Sequence, residues 1–185
     1  MIQHVVFLLE EPSAQDFLNA VIPFLIPSHV QVHFMVFEGK QDLEKQMPRK
    51  LKSWVRPQTR FVVLRDQDSG DCKAIKSRLK AICVAASRPD AIVRIACREL
   101  ESFFVGDWSA VALAFDRPAL ASQARSAKFR EPDMLGSPSH ELARLIPEYQ
   151  KRDRARRISP HLDYSRNRSK SFQALWRTLQ SVSVP

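Results

Sequence analysis

Four apolar runs of strand length, at residues 2–9, 30–37, 60–64 and 91–97, alternate with helical stretches at 13–26, 40–55 and 71–87. Helical crossovers of that length join parallel strands and turn right-handed almost without exception. The order therefore predicts an α/β fold: a mostly parallel four-stranded sheet with flanking helices. Pro23 is expected to kink or end the first helix and Pro48 to strain the second, because proline lacks an N–H and its ring crowds the preceding turn.

Beyond Cys97 the alternation stops. Residues 99–105, 108–115, 141–146 and 171–182 read as short helices, while Pro118, Pro132, Gly136 and Pro138 break up the stretch between 117 and 138. Residues 1–105 thus read as the α/β core and 106–185 as a basic helical extension packed on it as a C-terminal cap. No internal repeat is present.

The third apolar run, Phe61 to Leu64, ends in Arg65 Asp66 Gln67 Asp68 Ser69 Gly70 Asp71. In extended backbone Asp66 and Asp68 point to the same side. Ligands of open α/β sheets collect at the carboxyl ends of strands. Two carboxylates held together repel unless a cation or a shared proton intervenes, and hard oxygen donors suit Mg²⁺ or Mn²⁺. A turn followed by a helix N-cap accounts for the same residues. The first strand also ends in acid, Glu10 Glu11 Pro12 Ser13, and Glu99 and Glu101 follow the fourth strand, either as further metal ligands or as residues that open a helix.

Charge gathers in the second half. From Arg125 to Arg177 thirteen basic residues face six acidic ones, a net +7 of the chain's +9. The densest run is Lys151, Arg152, Arg154, Arg156 and Arg157. Arg168 and Lys170 lie in Asn167 Arg168 Ser169 Lys170 Ser171 Phe172, which offers hydroxyls and cations to a phosphate at a helix start, or supplies a cap through Ser171. Clustered Arg and Lys are the footprint of phosphate binding, so nucleic acid, DNA or RNA, is the expected partner. A solvated helix face or an acidic protein partner accounts for the same charge.

Other classes are disfavoured. No segment approaches the roughly 20 apolar residues that span a bilayer. The first apolar run lacks a basic flank and is interrupted by Glu10 and Glu11, so no cleavable signal is expected and the chain reads as cytoplasmic, without a membrane partner. Cys72, Cys83 and Cys97 are odd in number and form no Cys-x-x-Cys pair, against a zinc site or a disulfide framework. Cys83 and Cys97 read as packed small hydrophobes, and the Cys72 thiol is a poor ligand for a hard cation. The four glycines form no P-loop.

A glutamate after the first strand and an Asp-x-Asp after a later one resemble the toprim domain of topoisomerases, primases and overcoming-lysogenization-defect nucleases. The order Leu8 Leu9 Glu10 Glu11, Leu64 through Cys72, Arg98 Glu99 Leu100 Glu101 Ser102 Phe103 Phe104, Tyr149 Gln150 Lys151 and Asn167 through Phe172 is similar to a bacterial toprim-like family. Members of that family often accompany ABC-type ATPases in defence gene clusters. The resemblance implies a metal-dependent nuclease in which Glu10, Asp66 and Asp68 hold Mg²⁺ or Mn²⁺, with Asp71, Glu99 and Glu101 as further ligand candidates. It also implies a separate ABC-type ATPase partner and a role against phage. Two departures, Glu11 where toprim carries glycine and Ala14 where related sequences often carry an acid, leave open a non-catalytic subunit that binds nucleic acid or a partner. A haloacid-dehalogenase-type phosphatase also uses Asp-x-Asp, but here the pair follows the third strand, and Gly70 stands where Thr or Val commonly follows.

Overall fold

β1 (His4–Leu9) is a near-continuous apolar run because it lies inside the sheet, covered on both faces. β2 (Gln31–Val36) pairs with one side of β1 and β3 (Thr59–Asp66) with the other, and β4 (Ile92–Ala96) adds beyond β3. Every pairing is parallel, so the sheet is parallel throughout, as the strand–helix alternation predicts. The crossovers are α1 (Pro12–Leu25), α2 (Lys40–Ser53) and α3 (Cys72–Ala85). The computed structural model describes residues 1–184.

Alternation along the strands sorts the core into two layers. Val6, Leu8, Phe61 and Val63 meet Leu43, Met47 and Leu51 of α2 and Ile75 and Leu79 of α3. Val5, Phe7, Leu9, Val62 and Leu64 meet Phe17, Leu18 and Val21 of α1. Both prolines lie inside their helices: α1 runs on to Leu25 past Pro23 rather than ending there, and α2 runs through Pro48. Pro23 falls in the last turn, so it forfeits one hydrogen bond, to the Asn19 carbonyl, with few helical residues beyond it. Around Pro48 the buried row Leu43, Met47 and Leu51 offsets the lost hydrogen bond.

The second half covers the α1 face of the sheet. It contains α4 (Ser102–Val105), α5 (Trp108–Ala114), α6 (Pro138–Leu145), α7 (Lys151–Ile158) and α8 (Lys170–Ser181), with 3₁₀ turns between residues 118 and 134. Its apolar side chains join the core rather than forming one of their own: Phe17 of α1 lies 5.5 Å from Phe103, and Phe103 lies 5.5 Å from Phe172 of α8, centroid to centroid. α7 packs along α1, and α8 beside β4. The Arg-rich sequence of α7, read above for charge alone, buries Ala155 and Ile158 on one side of the helix. Among the described residues no helix is long and apolar enough to cross a membrane.

Candidate functional site

β1 and β3 run side by side with Leu9 opposite Leu64, so Glu10 and Asp66 leave the sheet at neighbouring carboxyl ends. The Glu10 amide donates to the Leu64 carbonyl at 3.3 Å, and the Asp66 amide donates to Glu10 Oε2 at 3.1 Å. Strand alternation nevertheless sends the two carboxylates to opposite faces. Glu10 follows Leu8 towards α2 and α3, where Arg65 Nε stands 3.7 Å away and Arg65 itself donates to Glu44 at 2.7 Å. Burial pushes the Glu10 carboxyl above its usual range, and Asp68 and Glu11 push the same way, against the Asp66 amide and Arg65.

Asp66 follows Leu64 towards α1 and α7 and joins a different set. There Glu11 accepts from Ser13 Oγ at 2.6 Å and pairs with Lys151 Nζ at 2.5 Å, and the same ammonium lies 3.7 Å from Glu101. Glu101 is only 2 % exposed, and its Oε2 has no hydrogen-bond partner. Burial lifts the Glu101 carboxyl to about 7, with Lys151 opposing and Glu11 adding to the rise. Burial, then Glu11 and Glu101, holds Asp66 well above the ordinary carboxylate range. Burial works against the charge of Lys151, but Glu101, Glu11 and Asp66 together outweigh it and hold the ammonium above its usual value. One cation thus serves three carboxylates.

The remaining acids named from the sequence have local partners. Asp68, at φ +55°, a left-handed conformation aspartate tolerates, pairs with Lys40 at 2.7 Å. Asp71 caps α3 by accepting from the Ala74 amide at 2.6 Å, and Glu99 accepts from the Ser139 amide at 2.8 Å. Among the described residues no group of three or more His, Cys, Asp or Glu side chains is spaced to hold a metal ion. The chemistry of the Glu11, Asp66 and Glu101 set still suits a hard cation: all donors are carboxylate oxygens, and one of them, Glu101 Oε2, is buried and unused. Lys151 already pairs with Glu11 and lies near Glu101 in that set.

The basic run is largely spoken for. Arg152 grips Asp16 with two hydrogen bonds, 2.6 and 3.0 Å, and Arg156 adds a third at 3.2 Å. Asp16 is 9 % exposed, and its two guanidinium partners overcome the burial penalty to hold its carboxyl low. Arg154 donates to the Ile146 carbonyl at 3.1 Å, and Arg157 lies over the Tyr149 ring at 4.5 Å. Arg168 donates to the Ala124 carbonyl, yet with Arg130 and Lys170 it lines a cavity of about 430 Å³ beside Met134, which is 69 % exposed. The start of α8 is capped by Ser169, whose Oγ accepts from the Phe172 amide, rather than by Ser171. Asp133 fills the place a phosphate would take there, accepting from the Ser171 amide at 2.7 Å and from Ser169 Oγ at 2.6 Å. Ser171 Oγ in turn accepts from the Cys97 amide, which ties this cavity to the carboxyl end of β4 and so to the same edge as the acids.

The family model described as Domain of unknown function (DUF4276) matches residues 9–180. The chain belongs to that family. The match takes in the acidic edge, α7 and the cationic cavity alike. No curated protein matches the chain, and no solved structure does.

Within this family member, the sequence reading missed Glu11, Asp16, Arg130 and Asp133. Glu11 was open to discovery: once Leu9 and Leu64 are set opposite each other, Glu11 shares parity with Asp66, whereas Glu10 does not. Asp16 lies within the helical stretch 13–26 with no motif around it. Its importance comes from residues 136 and 140 positions away, which no local pattern announces.

Proposed function

We propose that the chain is a divalent-cation-dependent phosphodiesterase acting on nucleic acid, working with a separate ABC-type ATPase in defence against phage. The partner and the biological role rest on the toprim-like resemblance alone. The observation that carries the chemistry is the undercharged carboxylate set at the carboxyl edge of a parallel sheet, with Glu101 Oε2 unpartnered. Glu11, Asp66 and Glu101 would hold Mg²⁺ or Mn²⁺, with Lys151 yielding its place and Glu10 bracing Asp66 through the Asp66 amide. Such an ion supplies Lewis acidity to a phosphoryl oxygen and lowers the pKa of an attacking water. Lys151, once released, leaves a cation at the edge to meet phosphate. Arg130, Arg168 and Lys170, off the end of β4, would steer the backbone.

A second reading is a non-catalytic binding subunit. One observation favours it: Lys151 neutralises part of the cluster, and among the described residues no three donors are spaced for an ion as they stand. The two readings part on Asp66→Asn. Under the enzymatic reading Mn²⁺ binding, followed by calorimetry, falls at least tenfold and cleavage of a nucleic-acid substrate is lost, while the metal-free protein is as stable as wild type or more so, because repulsion is relieved. Unchanged nucleic-acid binding with no Mn²⁺ binding even in the wild-type protein establishes the second reading. Unfolding of Asp66→Asn makes the residue a structural one and removes it from the enzymatic reading.

A further inference from the structure

Cys72 opens α3, directly after the turn 67–71, and Cys97 follows β4. Their sulfurs are 3.6 Å apart, with both residues partly accessible. A disulfide has a sulfur–sulfur distance of about 2.05 Å, so closure needs an approach of about 1.5 Å, within reach of side-chain rotation and a small shift at a helix terminus. Cys83, the third thiol, is buried among the side chains between α3 and the sheet and has neither neighbour nor access. The spacing in sequence, 25 positions from one to the other, concealed the contact.

We propose that Cys72 and Cys97 are a modification site: a peroxide-class oxidant converts the pair to an intramolecular disulfide. In the first step one thiol sulfur attacks the peroxide, the O–O bond breaks, and a sulfenic acid and one water form. In the second the other thiol sulfur displaces the sulfenic oxygen, which leaves as a second water taking both remaining protons, and the S–S bond forms. Two thiols are oxidised and one peroxide is reduced. A thiol-rich reductant reverses the step by exchange.

The position of the bond gives it a consequence. The turn 67–71 is held to the end of β4 by the Gln67 amide, which donates to the Ala96 carbonyl at 2.9 Å, and by a reciprocal pair in which the Asp68 amide donates to the Arg98 carbonyl at 2.8 Å and the Arg98 guanidinium donates to the Asp68 carbonyl at 3.4 Å. A bond from Cys72 to Cys97 adds a covalent tie at the far end of that turn. Oxidation therefore staples the turn carrying Asp68 against β4 and suppresses its local opening. This inference does not depend on the proposed enzymatic reading.

The full-length protein is treated with hydrogen peroxide, denatured, alkylated and digested. The expected result is one alkylated cysteine, Cys83, and a linked peptide pair containing Cys72 and Cys97 that dithiothreitol separates. Cys83→Ser should crosslink as wild type does, while Cys72→Ser and Cys97→Ser should not. Amide exchange across residues 67–72 should slow at least severalfold in the oxidised form and recover on reduction. Three alkylated cysteines after peroxide, a link involving Cys83, a link between two chains, or sulfinic acid in place of the link would each overturn the proposal. Unchanged exchange in a crosslinked sample overturns the stapling.

Discussion

Glu101 makes the acidic edge measurable without any substrate. Its carboxyl sits at about 7 in the folded chain against an ordinary 4.5, so the folded state holds its proton more tightly than the unfolded state does. For a carboxyl raised in this way, stability is unaffected below the unfolded value and is lost as pH climbs from there through the folded value. In chelator, the melting temperature should fall between pH 5 and pH 8. Glu101→Gln should flatten that fall, recovering up to about 3 kcal/mol at pH 8. A protein equally stable at both pH values, with no difference in the variant, would show that Glu101 is better solvated than its burial implies. Lys151→Met should act in the opposite direction. With the ammonium gone, three carboxylates face one another, and the metal-free protein should lose about 1–2 kcal/mol at pH 8, since Lys151 is partly exposed and part of its effect is screened. Added Mn²⁺ should restore more stability to this variant than to the wild type.

At the scale of elements, α7 owes its placement to Asp16 of α1. Asp16→Asn removes the charge that two guanidiniums share and is expected to cost about 1 kcal/mol, discounted because both arginines are half exposed. Hydrogen exchange should report it as faster exchange across 151–158, with the sheet unaffected. Because arginine partners hold the Asp16 carboxyl low, the contribution is present at neutral pH and disappears as pH falls below the normal aspartate range. The same element shows what sequence does and does not disclose. The four strands and three crossovers were legible because apolar runs and helical stretches are local signals, and Phe61 to Leu64 announced β3 although the strand itself reaches Asp66. α7 was legible only as charge. Its apolar contribution is two residues, Ala155 and Ile158, and the rest of its affinity for the fold is ionic and long-range. That Asp66 and Glu101 lie at strand ends was legible from their place in the sequence, whereas which of Glu10 and Glu11 shares a face with Asp66 needed the pairing register of two strands fifty-five residues apart.

At the scale of the molecule, the positive charge that gives the chain its +9 has two fates. The α7 cations are engaged with Asp16, Glu11, a carbonyl and an aromatic ring, while Arg130, Arg168 and Lys170 share one cavity wall. Replacing those three by alanine should weaken binding to duplex DNA of any sequence and reduce the slope of log K against log salt by about 2–3. Replacing Arg152 and Arg156 should instead lower the melting temperature and change the salt slope little. If the second pair alters the slope and the first set does not, the nucleic-acid surface lies on α7. The placement of Lys151 has a last consequence, for anyone who would cut the chain. A fragment ending at residue 105 would carry Glu11, Asp66 and Glu101 but not the ammonium among them, and transplanting it to another scaffold would move three mutually repelling anions without their counter-charge. The acidic edge is assembled from both halves of the polypeptide, so neither half alone carries it with its counter-charge.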